Sequence, residues 1–285
     1  METSSAAGRL TSRFIAGSTL EQALMVCQKL NREGMLVTLD HLGESVTSLQ
    51  EAEASRDFYL AALDRIAQQG LKSTISIKLT QLGLNFSEAE CQSNVERLVE
   101  RARAAGTNVE VDMESSEYVD RTLRLVSAMH AHYGSVRAVI QAYLYRSEGD
   151  IDNLCRQSIP VRLVKGAYQE PSDVAFPQKR DVDSNYAHLM MRLLRDGVNP
   201  AIATHDEIIL QRGIKYVQEH KIAADRLEFQ MLYGVRRDLQ RDLAKKGYRV
   251  RLYVPYGDAW YPYFMRRLAE RPANVLFLIR NLMRN

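Results

Sequence analysis

Short runs of β-branched and aliphatic residues recur along the chain. Each is followed by a longer stretch in which leucines and alanines return every three or four positions. That alternation predicts strands at Met35–Asp40, Thr74–Leu79, Val109–Met113, Ala138–Tyr143, Val161–Lys165, Ala201–His205, Leu227–Leu232 and Val250–Val254. Helical spacing predicts helices such as Leu49–Gln69, Ser87–Ala105, Asp183–Arg195 and Asp206–Glu219, with an opening helix around Thr19–Asn31. Gly70, Gly106, Gly197 and Gly247 fall where such helices should stop. A β–α alternation repeated about eight times points to an α/β fold of the (β/α)8 TIM-type barrel kind, rather than a doubly wound sheet. An extra N-terminal helix precedes it. With no Pro/Gly/Ser-rich linker, residues 1–285 read as a single barrel domain. Neither GxGxxG after a strand nor GxxxxGK[ST] is present, so the common nucleotide-binding signals are missing.

Composition narrows the class without naming a function. Hydrophobic residues make up 46% and charged ones 26% of the 285, enough for a sizeable core. A formal net charge of +3, with Lys and Arg spread along helices, argues for no nucleic-acid partner. Cys27, Cys91 and Cys155 form no CxxC pair, which suits a reducing cytoplasm and predicts neither a disulfide framework nor a zinc site. The N-terminal residues lack the charged and apolar regions of a secretory signal. No segment approaches the roughly 18 apolar residues that span a bilayer, so any membrane contact is expected to be peripheral.

A barrel builds its active site at the C-terminal ends of its strands, and here those ends are polar. The first carries Asp40, His41 and Glu44, the second Lys78, the third Asp112, Met113 and Glu114, and the fourth Gln141. The fifth reads Arg162-Leu-Val164-Lys165-Gly166-Ala167-Tyr168, the sixth ends Thr204-His205, and the seventh contains Glu228 and Gln230. Lys78, Arg162 and Lys165 lie in apolar surroundings, where a cation needs an anionic partner. Internal pairing with Asp40, Asp112, Glu114 and Glu228 is one reading; convergence on an anionic ligand is the other. His205 has no companion at ligand spacing, so a hydrogen-bonding role is expected and no metal. After the last strand Tyr263 precedes Arg266 and Arg267 at helical spacing, with Glu270 beyond. That face is either a solvated surface with an Arg266–Glu270 pair or a fork for a small carboxylate. Tyr253, Tyr256, Trp260, Tyr261 and Tyr263 form either an aromatic lid or ordinary packing.

Taken together, Thr38-Leu-Asp-His-Leu-Gly-Glu44, Ser76-Ile-Lys78, Val111-Asp-Met113, Gln141-Ala-Tyr143, Arg162-Leu-Val-Lys-Gly-Ala-Tyr168, Ala203-Thr-His205, Glu228-Phe-Gln230 and the Arg266-Arg267 helix resemble the flavin-dependent proline dehydrogenases. Both the monofunctional bacterial enzymes and the catalytic domain of proline utilisation A share this order of motifs. The resemblance implies a distorted barrel that binds FAD without a Rossmann motif. It implies oxidation of L-proline to pyrroline-5-carboxylate, the first step of proline catabolism, with electrons passed to a quinone. By matching position, Asp112 and Arg162 would be catalytic, with Arg162 near flavin N5. Met113, Gln141, Val164, Lys165, Gly166, Ala167, Thr204, His205 and Glu228 would contact the cofactor. Lys78, Arg266 and Arg267 would clamp the substrate carboxylate. Tyr168, Tyr253 and Tyr263 would enclose the ring, and Glu44 would gate the site by pairing with Arg266. Gln169 stands where proline utilisation A has a tryptophan. A cytoplasmic enzyme with peripheral contact to the inner membrane is expected, and pyrroline-5-carboxylate dehydrogenase is a candidate partner.

Two other readings stand beside this one. A Schiff-base lyase or aldolase on the same barrel would use Lys165 or Lys78 as amine nucleophile. A cofactor-free barrel acting as an adaptor would explain the fold but not the charged strand ends.

Overall fold

A computed structural model describes residues 13–43 and 46–261. Helix α1 (Leu20–Arg32) starts at Thr19, whose side chain accepts from the Gln22 amide while Gln22 reaches back to the Thr19 amide. This capping box satisfies two otherwise orphaned helix-end donors. Ala23, Leu24, Cys27 and Leu30, at one-turn spacing, turn inward and are buried. The remaining elements alternate: β1 (Leu36–His41), α2 (Leu49–Gln68), β2 (Ser73–Ile77), α3 (Glu88–Ala104), β3 (Val109–Val111), α4 (Val119–Tyr133), β4 (Val136–Gln141), α5 (Ser147–Arg156), β5 (Val161–Val164), α6 (Lys179–Asp196), β6 (Ala201–Ala203), α7 (Glu207–Glu219), β7 (Glu228–Leu232), α8 (Arg237–Lys245) and β8 (Val250–Tyr256). All eight strands pair in parallel and in chain order, and β8 closes on β1.

The register divides the strand residues into two sets. Val37, Leu39, Ile75, Val109, Val111, Leu163, Phe229 and Leu252 are buried within the main apolar core. Their neighbours, Thr38, Thr74, Glu110, Arg137, Arg162, Glu228 and Arg251, align with one another across successive strands or alternate with the apolar set. Contacts from Glu110 on β3 to Thr38 on β1, Arg162 on β5 and Gln230 on β7 can form only through the barrel lumen. The inside is therefore polar, and the apolar core lies around it. That inverts the usual branched-aliphatic filling of such barrels.

Strands end earlier at the C-terminal mouth than alternation predicts. β2, β3, β4 and β6 stop at Ile77, Val111, Gln141 and Ala203, two residues short in each case. There the chain leaves the sheet and turns side chains toward the mouth. β8 runs two residues longer, to Tyr256, because its end gains partners: Leu42 N donates to Tyr256 O (2.8 Å) and Ala16 N to Pro255 O (2.9 Å). A small separate cluster of Phe14, Ile15 and Leu42, with Trp260 against it, covers this corner. Gly70, Gly106 and Gly247 follow their helices with positive φ as expected of a left-handed stop, whereas Gly197 ends α6 at φ −78°.

Candidate functional site

Two polar layers fill the lumen. In the lower one Glu110, fully buried, accepts from Thr38 Oγ1 (2.9 Å), Thr74 Oγ1 (2.7 Å) and Gln230 Nε2 (3.2 Å). Arg137 approaches it at 3.5 Å, and Arg162 Nη2 donates to it from above. Glu228 takes Arg251 Nε (2.9 Å), Gln230 Nε2 (2.7 Å) and Arg137 Nη1. Burial alone would raise both carboxyls, but the Arg162, Arg137 and Arg251 charges outweigh it at Glu110 and hold it well below the usual range. At Glu228 the Arg251 and Arg137 charges prevail in the same way, to about 2. Both are therefore ionised at neutral pH.

The upper layer opens to the mouth. Asp112 accepts from Arg162 Nη1 (2.6 Å), Ser76 Oγ (2.8 Å) and the Tyr253 hydroxyl (2.7 Å). Lys78 stands 3.7 Å from Asp112 and 3.5 Å from Asp40. The Arg162 guanidinium lies over the Tyr253 ring, 5.4 Å from its centroid. Burial first, and then the Asp112 charge, pushes the Tyr253 phenol well above its ordinary value, so it remains a donor at working pH. The structure thus gathers Lys78 and Asp112, just past the ends of β2 and β3, with Arg162 of β5 and Tyr253 of β8 into one cluster.

A second group occupies the β5–β6 side of the mouth. Gly166 takes φ +120°, and a Cβ there would lie 2.3 Å from Tyr143 Cδ1, so the turn admits no side chain without moving that ring. Lys165 pairs with Asp206 (3.0 Å) and Asp183. Asp206 caps α7 through the Ile208 and Ile209 amides, and its own amide donates to Thr204 Oγ1 (3.1 Å). His205 Nε2 accepts from Leu232 N (2.9 Å), which leaves the ring proton on Nδ1 in the neutral form. Between the two groups, Met113 is buried and Gln141 Nε2 donates to Glu114 O (2.9 Å). Val164 is half-buried at the end of β5, while Ala167 and Tyr168 are exposed.

The expected internal pairing of cations is present, with partners only partly as read from sequence. Asp40 and Asp112 serve Lys78, and Asp112 serves Arg162. Glu114 accepts from Thr80, through its amide (3.1 Å) and hydroxyl (2.5 Å). Glu228 lies a layer below the mouth and serves Arg137 and Arg251. Sequence reasoning missed Glu110, Arg137 and Arg251. Their signal is polar residues at every second position of an apolar strand: Thr38/Asp40, Glu110/Asp112, Glu228/Gln230 and Arg251/Tyr253. The terminal aromatics divide. Tyr253 faces the lumen, Tyr256 is buried beside His41, and Trp260 packs in the corner cluster. Glu44, Tyr263, Arg266, Arg267 and Glu270 lie outside the described residues. Among the described residues no group of His, Cys, Asp and Glu could hold a metal ion.

Comparison with known proteins finds one family. The family model described as proline dehydrogenase matches residues 23–280. Proline dehydrogenase 1 of Bacillus subtilis (strain 168) is 41% identical over 272 residues, covering 95% of this chain and 90% of the relative. The proline dehydrogenase of Deinococcus radiodurans is 40% identical over 280 residues, covering 96% and 90%. Among solved structures, proline utilization A from Bdellovibrio bacteriovorus, inactivated by N-propargylglycine, superposes with a TM-score of 0.86 at 26% identity. That match covers 92% of this chain and 32% of the larger protein.

Proposed function

Since the chain belongs to the proline dehydrogenase family, we propose that it oxidises L-proline to pyrroline-5-carboxylate with bound FAD and passes the electrons to a quinone. The observation that carries this reading is the cluster of Arg162, Lys78, Asp112 and Tyr253 at the mouth, beside the side-chain-free turn at Gly166. A Schiff-base lyase or an adaptor finds no support in the relatives.

The residues present fit a flavin. Arg162 Nε is buried with no hydrogen-bond partner among the described residues, a donor that a ring acceptor would satisfy. The Gly166 turn leaves backbone open to a close approach, as a flat ring and its phosphate-bearing chain require. Met113, Gln141, Val164, Lys165, Gly166, Ala167, Thr204 and His205 are the residues that would hold it; Glu228, expected among them, is tied to Arg137, Gln230 and Arg251 in the layer below. When bound, FAD supplies the two-electron hydride acceptor.

The chain's own residues do the rest. Lys78, Arg266 and Arg267 would clamp the carboxylate and so hold the ring carbon that loses hydride in one orientation. Asp112 orients Lys78, Arg162 and Tyr253 by holding all three. Tyr253, Tyr263 and Tyr168 enclose the ring, and Glu44 closes the site through Arg266. The amine must be neutral, so that its lone pair can form the C=N bond as hydride departs. Residues 1–285 form one domain in this reading. Among the described residues no helix is long and apolar enough to cross a membrane, and quinone reduction would occur at a peripheral contact. Pyrroline-5-carboxylate dehydrogenase, which consumes the product, is the proposed partner.

Anaerobic mixing of the yellow protein with L-proline should bleach its visible bands, and a quinone should restore them. D-proline and linear amino acids should bleach it far more slowly, and hydroxyproline should be a poorer substrate. A flavoprotein that stays yellow with L-proline refutes the substrate; a colourless one refutes the cofactor.

A further inference from the structure

Arg162 is held from two levels. Nη1 faces Asp112 (2.6 Å) and Ser76 Oγ (3.2 Å), while Nη2 faces Glu110. The two anions differ in kind. The Asp112 side chain is 14% exposed at the mouth and also serves Lys78 and Tyr253, so an arriving ligand can redistribute its contacts. Glu110 is 0% exposed and lies in the layer below the mouth. Its charge is shared among five donors: the Thr38 and Thr74 hydroxyls, Gln230, Arg137 and Arg162. Each neutral donor that screens Glu110 leaves more uncompensated positive charge on Arg162, because interactions in a dry interior are weakly screened.

We infer that Glu110 is a positioning residue that sets the charge Arg162 presents to the bound flavin, and through it the flavin's reduction potential. This rests on the proposed flavoenzyme reading. Fixed charge placed before the reaction favours whichever redox form it complements, at no reorganisation cost during turnover. Glu110 is the constant part of that field and Asp112 the part a ligand can alter. Thr38, Thr74 and Gln230 set the constant part from below.

A mere plug for the barrel floor would make the same contacts, so the test uses the sign of a shift. The holoproteins of wild type, Glu110→Gln, Glu110→Asp and Thr38→Val are equilibrated anaerobically with redox dyes. FAD affinity of each apoprotein and thermal midpoints are measured in parallel. Glu110→Gln removes a buried negative charge and should raise the potential. The expected size is a tenfold shift toward reduced flavin at fixed poise, about 30 mV for a two-electron couple. Glu110→Asp keeps the charge and should restore most of the wild-type value. Thr38→Val deletes a donor that screens Glu110, so its potential should move the opposite way, to severalfold less reduced flavin.

Lower stability and weaker FAD binding with unmoved potentials would make Glu110 structural and overturn the inference, as would shifts of the same sign in Glu110→Gln and Thr38→Val. Should Glu110→Gln fail to fold, Thr38→Val decides alone, and an unchanged or raised potential overturns it. A wild-type protein that binds no FAD overturns the functional reading and this inference with it. A wild-type flavoprotein bleached by proline, with potentials indifferent to Glu110, overturns only the latter.

Discussion

Glu228→Gln isolates the energetics of the buried lower layer. The wild-type carboxylate receives Arg137 Nη1, Arg251 Nε at 2.9 Å and Gln230 Nε2 at 2.7 Å on one oxygen, with Arg249 3.7 Å from the other. Glutamine keeps the shape but removes the charge, and its NH2 group would face guanidinium donors. Arg137 and Arg251 are then left to share Glu110, which already serves Arg162. Removing one partner of a buried ion pair costs about 3–5 kcal/mol. For a domain of this size each kcal/mol lowers the thermal midpoint by about 2 °C, so a fall of roughly 6–10 °C is expected. A control separates burial from distance. Arg101 Nε meets Asp64 at 2.5 Å, but the side chains are 33% and 49% exposed. Asp64→Asn should cost about 1 kcal/mol or less. Thermal scans of both variants, as apoprotein and holoprotein, are the assay. If Glu228→Gln falls no further than Asp64→Asn, the lower layer is not a network of mutually dependent charges, and the argument fails.

Asp112→Asn should lower kcat/KM for L-proline by roughly 10–100-fold, the worth of hydrogen bonds to a charged group at about 1.5–3 kcal/mol, while circular dichroism shows an intact barrel. Acid should unfold the protein through the lower layer: Glu228 is depressed from 4.5 to about 2, so its contribution is whole above about pH 4.5 and drains as pH falls toward 2. Glu110 adds to that slope with the same sign, and thermal midpoints of Glu228→Gln should fall less steeply than wild type on acidification. Gly166→Ala places a methyl 2.3 Å from Tyr143 Cδ1 at φ +120°, so flavin content per chain should drop; full occupancy would show that the turn does not bear on the cofactor. On the proposed carboxylate clamp, Arg267→Met should raise the proline KM at least tenfold with normal FAD content, the effect of about 2–5 kcal/mol that losing one partner of a buried charge pair has.

The barrel was legible because its strands face apolar neighbours on their outer side, so runs such as Val161–Val164 stand out between helical stretches. The errors cluster where tertiary contacts decide. Strand ends at Ile77, Val111, Gln141 and Ala203 are set by loops leaving the sheet, which alternation does not register. Tyr256 stays in β8 because Leu42 and the segment before α1 supply partners far away in sequence. Asp112 was visible as a charge just past a strand end, and Arg162 as a cation inside the apolar run that opens β5. Glu110, Arg137 and Arg251 sit at or near the starts of theirs, where charged residues look like solvated entries until the cross-barrel contacts are known. Glu114 and Glu228 were rightly read as engaged carboxylates, but their partners depend on a register no single strand reveals.

The seam between β1 and β8 carries a consequence for synthesis. β1 pairs on one side with β2, its near neighbour, and on the other with residues Arg251–Tyr256. At about 5–20 residues per second on the ribosome, some two hundred residues separate the emergence of these partners by roughly 10–40 s. Throughout that interval the β1 edge of the nascent sheet stays open, with Thr38 and Asp40 beside it, and an open edge is where strands from different chains join. The lumen charges are equally unmatched then, since Arg251 and Glu228 arrive last. Nascent chains stalled before Tyr256 should therefore bind chaperones that recognise exposed strand edges, and a circular permutant opened between β4 and β5 should move that vulnerable interval to another seam.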